Sequence, residues 1–417
     1  MAGKTLMVQG TGSSVGKSVL VTALCRIFKQ QGLTVAPFKA QNMSLNSFVT
    51  LDGGEIGRAQ AVQAEASGIV ASIDMNPILL KPEADNCSQI IVGGKPLTRI
   101  RAADFPGLKS FLWAAITESL DRLRQRFDLV VIEGAGSPAE INLRDRDLVN
   151  MEVALYCDSP VVLAADIDRG GVFASLLGTL QLLQESEKEH IKAFIINKFR
   201  GDISLLTPGL DWLENRTGVP VAGVIPYYHD IYIPEEDSVP LEKRRAMKQR
   251  RDVGIDIAVI AVPHIANFDD FDPLEREAGV GLRYVEALDD LGDPDLIILP
   301  GTKTTVADLA YLRENARDKE ILRHAERGKP IIGICGGYQM LGVTIHDVAG
   351  IESSTAMTNG LSILPMTSQF LPIKATRQIS ARVRLDRGLL AEAKGSTVRG
   401  YEIHMGLTTG PSMLSPF

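Results

Sequence analysis

The chain has 417 residues, too many for one ordinary hydrophobic core, so two domains are expected. Its composition, 45% hydrophobic and 23% charged, is that of a globular protein, and a formal net charge of −7 speaks against a general nucleic-acid binder while leaving room for a local site that takes an anionic small molecule. No apolar run approaches the ~20 residues of a membrane span, the N-terminus shows no signal-peptide layout, and the four cysteines (25, 87, 157 and 335) form no C-x-x-C pair, so a cytoplasmic protein with no usual zinc site is expected.

From residue 4 onward, short apolar runs alternate with longer amphipathic stretches. TLMVQG, LTVAPF, DLVVIEG, PVVLAAD, KAFIIN and PVAGVIP read as buried strands, and VGKSVLVTALCRIFKQQG as a helix stopped at Gly32. The alternation implies an α/β fold with a doubly wound, mostly parallel sheet covered on both faces. After Tyr232 the texture becomes polar, and the basic cluster Lys243 to Arg251 reads as a solvated linker helix. A second alternating series, IDIAVIAVP, PDLIILPG and KPIIGICGG, then begins. The expected layout is a first domain over 1–231, a linker over 232–252 and a second α/β domain over 253–417.

Between the first strand and its helix lies GTGSSVGKS: Gly10, Thr11, Gly12, Ser13, Ser14, Val15, Gly16, Lys17 and Ser18. The usual spacing G-x-x-x-x-G-K-[ST] asks for glycine at 11, where this chain has threonine. The setting of strand, glycine-rich turn and helix is nonetheless that of a phosphate loop. Backbone N–H groups and the helix N-terminus would bind phosphate oxygens of ATP, Lys17 would reach the terminal phosphates, and the Ser18 hydroxyl would bind Mg²⁺. Candidate partners sit near neighbouring strand ends, where doubly wound sheets hold ligands: Lys39 after the second strand, Glu133 at the end of the third, and Asp52 in LDGGEIGRAQ. Ser18, Asp52 and Glu133 form the expected Mg²⁺ set.

Some three hundred residues later, Gly333-Ile334-Cys335-Gly336-Gly337 follows a strand in the G-x-[nucleophile]-x-G pattern of a nucleophile elbow. Cys335 is the candidate nucleophile. Gly336 and Gly337, with Gly301 from LPGTKTT, are candidate backbone donors to an oxyanion. A helix beginning near Tyr338 is expected to lower the thiol pKa. Cys25, Cys87 and Cys157 lack such a setting and read as structural. His404 in RGYEIHMG and His346 are candidate bases, and neither has an acid partner by spacing.

The loop, with its glycines displaced by one residue, resembles that of dethiobiotin synthetase and its relatives, which activate a carboxylate with ATP. Nearly end to end, the chain resembles the cobyric acid synthases, the glutamine-dependent amidases of cobalamin biosynthesis. The resemblance is carried by FKAQNMSLNSFVT, DGGEIGRAQA, NPILLKP, EGAGSPAEINL, AADIDRGGVFASLLGT, INKFRGD, ANFDDFDPL, LPGTKTT, GICGGYQMLG and GYEIHMG. It implies that glutamine is hydrolysed at Cys335 through a thioester and that ATP phosphorylates a corrin carboxylate. Ammonia, kept from protonation along a sheltered path, would then displace phosphate at the b, d, e and g positions of adenosylcobyrinic acid a,c-diamide to give cobyric acid. It further implies that Lys17 and Lys39 neutralise the transferring phosphoryl group, that Asn197 hydrogen-bonds adenine in a pocket lined by Pro226 and Tyr227, and that Asn42, Ser44, Asp168 and Arg169 lie on the acceptor side. ATP, glutamine and corrin are the implied small-molecule partners, with neither nucleic acid nor membrane involved and a homo-oligomer left open.

One departure matters. The family's glutaminase histidine sits in a later G-T-Y-x-H-G motif, and this chain stops at MLSPF without it. GYEIHMG is a different motif, so His404 does not inherit that role by default. The expectation is a chain lacking the family's C-terminal end that binds ATP and Mg²⁺, uses glutamine poorly and holds 253–417 weakly. The alternatives are cobyrinic acid a,c-diamide synthase, another ATP-dependent amidotransferase, or a partition-type regulatory ATPase with an inactive glutaminase module.

Overall fold

A computed structural model describes residues 2–84, 87–101, 107–228, 233 and 254–411. The expected linker over 232–252, with its basic cluster, lies outside the described residues apart from Ile233. The chain forms two compact units, and the division is not a single cut. The first comprises Met1–Met43, Gly54–Leu80 and Asn86–Pro234; the second comprises Ser44–Gly53, Lys81–Asp85 and Glu235–Phe417. No helix among the described residues is long and apolar enough to cross a membrane.

Six strands build the main sheet of the first unit: β1 (Lys4–Gly10), β2 (Val35–Phe38), β3 (Leu129–Glu133), β4 (Val161–Asp166), β5 (Ile191–Phe199) and β6 (Val221–Pro226). They are the six apolar runs read from the sequence. Their order is β6-β5-β4-β1-β3-β2, and every neighbouring pair is parallel. Pro37 is tolerated because β2 is an edge strand, where one side of the backbone owes nothing to the ladder.

Alternation along each strand sends side chains to two covered faces. Val8, Val35, Leu129, Val131 and Ala164 pack with Leu20, Val21 and Cys25 of α1 (Lys17–Gln30). Met7, Phe38, Val130, Ile132 and Leu163 share the opposite core with Ala64 of α2 (Arg58–Ala66) and with Leu112, Ile116, Leu120 and Leu123 of α3 (Lys109–Arg126). Burial of each such Val, Leu or Ile is worth about 1.5–3 kcal/mol, which fixes the register and with it the strand ends. The chain leaves β1 toward β2 on one side and later crosses to β4 on the other. That reversal puts the carboxyl ends of β1, β3 and β4 together, where open α/β sheets bind ligands.

The second unit contains a parallel sheet of β7 (Ile255–Ile260), β8 (Val280–Val285), β9 (Leu296–Leu299) and β10 (Ile331–Gly333), in the order β8-β7-β9-β10. Strand β8 escaped the sequence reading: VGLRYV is only half-buried over its first four residues, and Arg283 faces an ion pair with Asp256 at 3.0 Å. A second, mixed sheet holds β11 (Thr344–His346), β12 (Met357–Asn359), β13 (Thr367–Arg382) and β14 (Thr397–Thr409). It too was not foreseen, because charged and polar residues dominate β13 and β14.

The two early segments are tied into this unit by specific bonds. Ser47 N–H donates to Asn267 Oδ1 at 3.0 Å, and Asn267 Nδ2 returns a bond to Ser47 O at 3.2 Å. Gln378 Nε2 donates to Val49 O at 2.8 Å, Lys81 Nζ to Ser47 Oγ at 2.9 Å, and Lys303 pairs with Glu83 at 2.7 Å.

Candidate active site

In the first unit the loop after β1 turns sharply before entering α1. Gly16 has φ +100°, and a Cβ there would stand 2.2 Å from Asn197 Nδ2, so only glycine fits the last turn before Lys17. Asn197 Nδ2 donates to Val15 O at 2.8 Å, and Lys198 Nζ donates to Ser14 O at 2.7 Å while pairing with Asp166 at 2.8 Å. The end of β5 thus holds the loop from behind. Thr11, at the position where glycine is usual, donates its N–H to Ala164 O at 2.9 Å. Lys17 is buried and donates to the carbonyl oxygens of Gly12 at 2.8 Å and Gly136 at 3.0 Å.

Glu133 gathers the site. It is 1% exposed at the end of β3, and its Oε1 accepts from Ser18 Oγ at 2.9 Å and from Lys39 Nζ at 2.9 Å. Its Oε2 accepts from Gln63 Nε2 of α2 at 2.6 Å. Burial alone would push this carboxyl up. The Lys39 charge and the hydrogen bonds from Lys39, Gln63 and Ser18 outweigh it and hold Glu133 below the usual carboxylate range. Ser18, Lys39 and Glu133 therefore meet. Gln63 was missed, and its signal was a polar residue on the buried face of α2.

The other first-unit candidates spread along the strand ends. Pro226 closes β6 and is exposed, while the Tyr227 ring carries the Arg200 guanidinium 3.6 Å above its centroid. Asp168 and Arg169 are exposed, pairing with Arg200 at 3.0 Å and with Asp166 at 3.6 Å. Asn42 is buried and donates to Gln60 Oε1 at 3.3 Å. Two candidates belong to the second unit: Ser44 is buried, with its hydroxyl against Asn46, and Asp52 is exposed and accepts a hydrogen bond from Thr50.

In the second unit, β10 ends at Gly333 and α5 (Gly336–Met340) begins three residues on. Cys335 sits between them at φ +48°, a strained value for a side-chain-bearing residue and the mark of an elbow. A Cβ on Gly337 would stand 2.1 Å from Leu299 O, which is why nothing larger follows. The Cys335 Sγ donates to Ile403 O at 3.2 Å. Burial pushes this thiol up, with Gly336 N–H and the charges of Lys81 and Lys374 opposing the rise. The direction is opposite to the lowering expected from the helix: desolvation is the largest cause, and α5 has only five residues.

Gly301 adjoins the elbow, since a Cβ there would lie 3.7 Å from Cys335 Cβ. The Gly337 N–H already donates to Pro300 O at 3.1 Å and Ile334 O at 2.9 Å. Among the histidines, His404 Nδ1 meets Gly406 O at 3.1 Å and His346 Nε2 meets Thr344 Oγ1 at 3.2 Å. His264, not singled out in the sequence, has its Nδ1 2.9 Å from the buried carboxylate of Asp308. Both flanking stretches, VPHIANFDDF and PGTKTTVADL, follow strands, and that shared placement was the available signal.

The arrangement offers two separate chemistries: phosphate binding beside a buried ion pair, and a thiol on a strained turn among backbone amides. Residues 6–241 match the CobQ/CobB/MinD/ParA nucleotide binding domain, and residues 256–417 match the CobB/CobQ-like glutamine amidotransferase domain. The chain is 54% identical over 405 residues to a cobyric acid synthase of Dehalococcoides mccartyi, covering 97% of this chain and 79% of that protein. It is also 54% identical over 416 residues to a cobyric acid synthase of Sorangium cellulosum, covering 97% and 80%. Among solved structures, the signal recognition particle receptor FtsY of Elizabethkingia anophelis in complex with GDP aligns at 17% identity with a TM-score of 0.32, over 54% of this chain and 57% of that one. With relatives this similar across both domains, the chain belongs to the cobyric acid synthase family.

Proposed function

We propose that the chain divides the ATP- and glutamine-dependent amidation of cobalamin synthesis between these two constellations. ATP lies on the 10–18 loop, where Lys17 exchanges its carbonyl partners for terminal phosphate oxygens. Lys39, buried beside Glu133, adds a second positive charge for the transferring phosphoryl group. The γ-phosphoryl passes to an oxygen of a corrin carboxylate, and ADP leaves. Asn197, Pro226 and Tyr227 lie toward the adenine. On the acceptor side the exposed Asp168 and Arg169 suit a polar substrate better than the buried Asn42 and Ser44.

Mg²⁺ fits the oxygen pair formed by Ser18 Oγ and Glu133, which are 2.9 Å apart. No cluster of three His, Cys, Asp or Glu is present among the described residues, which suits a cation that takes its remaining ligands from phosphate and water. When bound, it would supply charge neutralisation at the phosphates.

In the second unit the Cys335 sulfur attacks the side-chain amide carbon of glutamine. The C–N bond breaks and ammonia leaves, and water then hydrolyses the thioester to glutamate. Backbone donors at Gly301 and Gly336 receive the oxyanion. Ammonia displaces phosphate from the activated carboxylate, giving the amide. The substrate is adenosylcobyrinic acid a,c-diamide, amidated at b, d, e and g, and the setting is the cytoplasm, where four free thiols persist.

The observation that carries this reading is the buried Glu133 carboxylate, drawing the loop hydroxyl and Lys39 to a single oxygen. The test is product analysis with the a,c-diamide, ATP and either glutamine or ammonium. Corrin gaining amides at b, d, e and g supports the reading. Amidation at a and c on the unamidated corrin would point to the sibling synthase, and ATP hydrolysis indifferent to corrin would remove the amidase reading.

A further inference from the structure

The loop that leaves β9 runs Pro300-Gly301-Thr302-Lys303-Thr304 into α4 (Thr305–Glu314), and it is clasped from several sides. Residues 264–266 pair with it through the backbone: Ala266 N–H donates to Gly301 O at 2.8 Å, Lys303 N–H donates to His264 O at 3.1 Å, and Ile265 bridges Thr302 in antiparallel fashion. Asp308, on the first turn of α4 and 1% exposed, is the centre of the clasp. It accepts from His264 Nδ1 at 2.9 Å, from His264 N–H at 3.4 Å and from the Thr302 hydroxyl. The Thr302 hydroxyl in turn accepts from Thr304 N–H at 3.1 Å. Lys303 is pinned to Glu83, and Thr305 Oγ1 donates to Gln339 Oε1 at 3.3 Å.

This clasped backbone adjoins the elbow. The Cβ position of Gly301 is 3.7 Å from Cys335 Cβ, and that of Gly336 is 2.5 Å from Thr302 Cγ2 and 3.4 Å from Thr302 N. An oxyanion site works by donors fixed before the charge develops, so a small drift of this loop would lower the rate without disturbing the thiol itself. A carboxylate can accept from all three donors at once; an amide has one acceptor oxygen and turns its NH₂ toward the others.

We propose that Asp308, acting through Thr302 and His264, is the positioning residue of the glutaminase, holding the Gly301–Thr302 backbone at the place the oxyanion needs. The proposal rests on the reading of Cys335 as nucleophile. It is tested in the full chain with Asp308→Asn, Thr302→Val and Thr302→Ser, against Cys335→Ser. Glutamine hydrolysis, iodoacetamide alkylation of Cys335 and ammonium-driven amidation are read in parallel. Asp308→Asn and Thr302→Val should lower kcat for glutamine hydrolysis about tenfold or more, with KM within about threefold. Alkylation and ammonium-driven amidation should keep their rates, and Thr302→Ser should restore kcat. An unchanged kcat, an alkylation rate that falls with kcat, or a Thr302→Ser as damaged as Thr302→Val would overturn the proposal. Should Asp308→Asn fail to fold, the two Thr302 variants decide alone. Glutamine hydrolysis that survives in Cys335→Ser strikes the nucleophile reading itself, and this proposal falls with it.

Discussion

Two glutamates, Glu133 buried in the first unit and Glu352 half-buried in the second, show how differently the two sites are built. Glu133 is a charged acid stabilised by partners: an ammonium, an amide and a hydroxyl converge on it, and its carboxyl is held below the ordinary 4.5. Glu352 is an acid stabilised by losing its charge. Burial pushes its carboxyl up to about 7, against the pull of Val306 N–H, which donates at 2.8 Å, and of Lys303, with Asp347 and Asp308 adding to the rise. The first unit's site is assembled from compensated charges, whereas the second unit's thiol stands on a strained backbone turn and is raised by desolvation, as Glu352 is, beside a loop clasped by the Asp308 carboxylate. Chemistry that handles phosphate needs the former; an oxyanion site needs backbone donors held in place before the charge develops, which the latter supplies.

The largest effect that could break this contrast is at Lys17. Lys17→Ala should lower amidation by about three decades or more from glutamine and ammonium alike, since both routes need the phosphorylated carboxylate. Normal ammonium-driven synthesis in that variant would take the phosphate site away from the loop. Next comes Cys335→Ser, which should abolish glutamine-driven amidation while ammonium-driven rates stay within about twofold, because a hydroxyl at neutral pH lacks thiolate reactivity. Equal loss by both routes would mean that the two sites are not chemically separable.

Glu133→Gln sharpens the contrast. It keeps the volume and removes the negative charge 2.9 Å from Lys39 Nζ, itself on a residue only 5% exposed. Stability should fall by about 3–5 kcal/mol, as for other broken buried pairs, and the Mg²⁺ needed for half-maximal activity should rise. A calorimetric scan and a Mg²⁺ titration check both, and an unchanged titration would exclude Glu133 from the metal site. In the wild type, the depressed carboxyl contributes stability above 4.5, lost as the pH falls through its folded-state pKa.

Glu352 runs the other way. Below 4.5 both folded and unfolded chains hold the proton, and the group contributes nothing. Between 4.5 and about 7 only the folded chain keeps it, so stability falls as the pH rises; above about 7 the full penalty is present. Glu352→Gln, whose amide oxygen can still accept from Val306, should flatten that slope and add roughly 1–3 kcal/mol at pH ~8. Denaturant melts across this range would show it, and parallel curves for variant and wild type would remove the assignment.

Much of the first unit was legible because buried parallel strands are continuous apolar runs and the phosphate loop is a local pattern. Ser18, Lys39 and Glu133 could be proposed together since each sits by a strand end. Gln63 could not, because its partner lies seventy residues away and only folding brings the two together. The elbow around Cys335 was equally local. Its thiol's direction of shift was not, because desolvation depends on every element packed around it. His264 and Asp308 were missed for the same reason: forty-four positions separate them, and neither carries a motif alone. Long β13 and β14 were hidden by polar sequence, their pairing being a matter of register rather than hydrophobicity.

The membership of Ser44–Gly53 and Lys81–Asp85 in the second unit bears on how such a gene can be divided or recombined. A glutaminase fragment begun at residue 253 would leave Asn267, Gln378 and Lys303 without Ser47, Val49 and Glu83. Swapping C-terminal halves between relatives would likewise mismatch those contacts unless both short segments travelled too. The two catalytic activities are thus inherited as one indivisible block of coding sequence, however modular the chemistry.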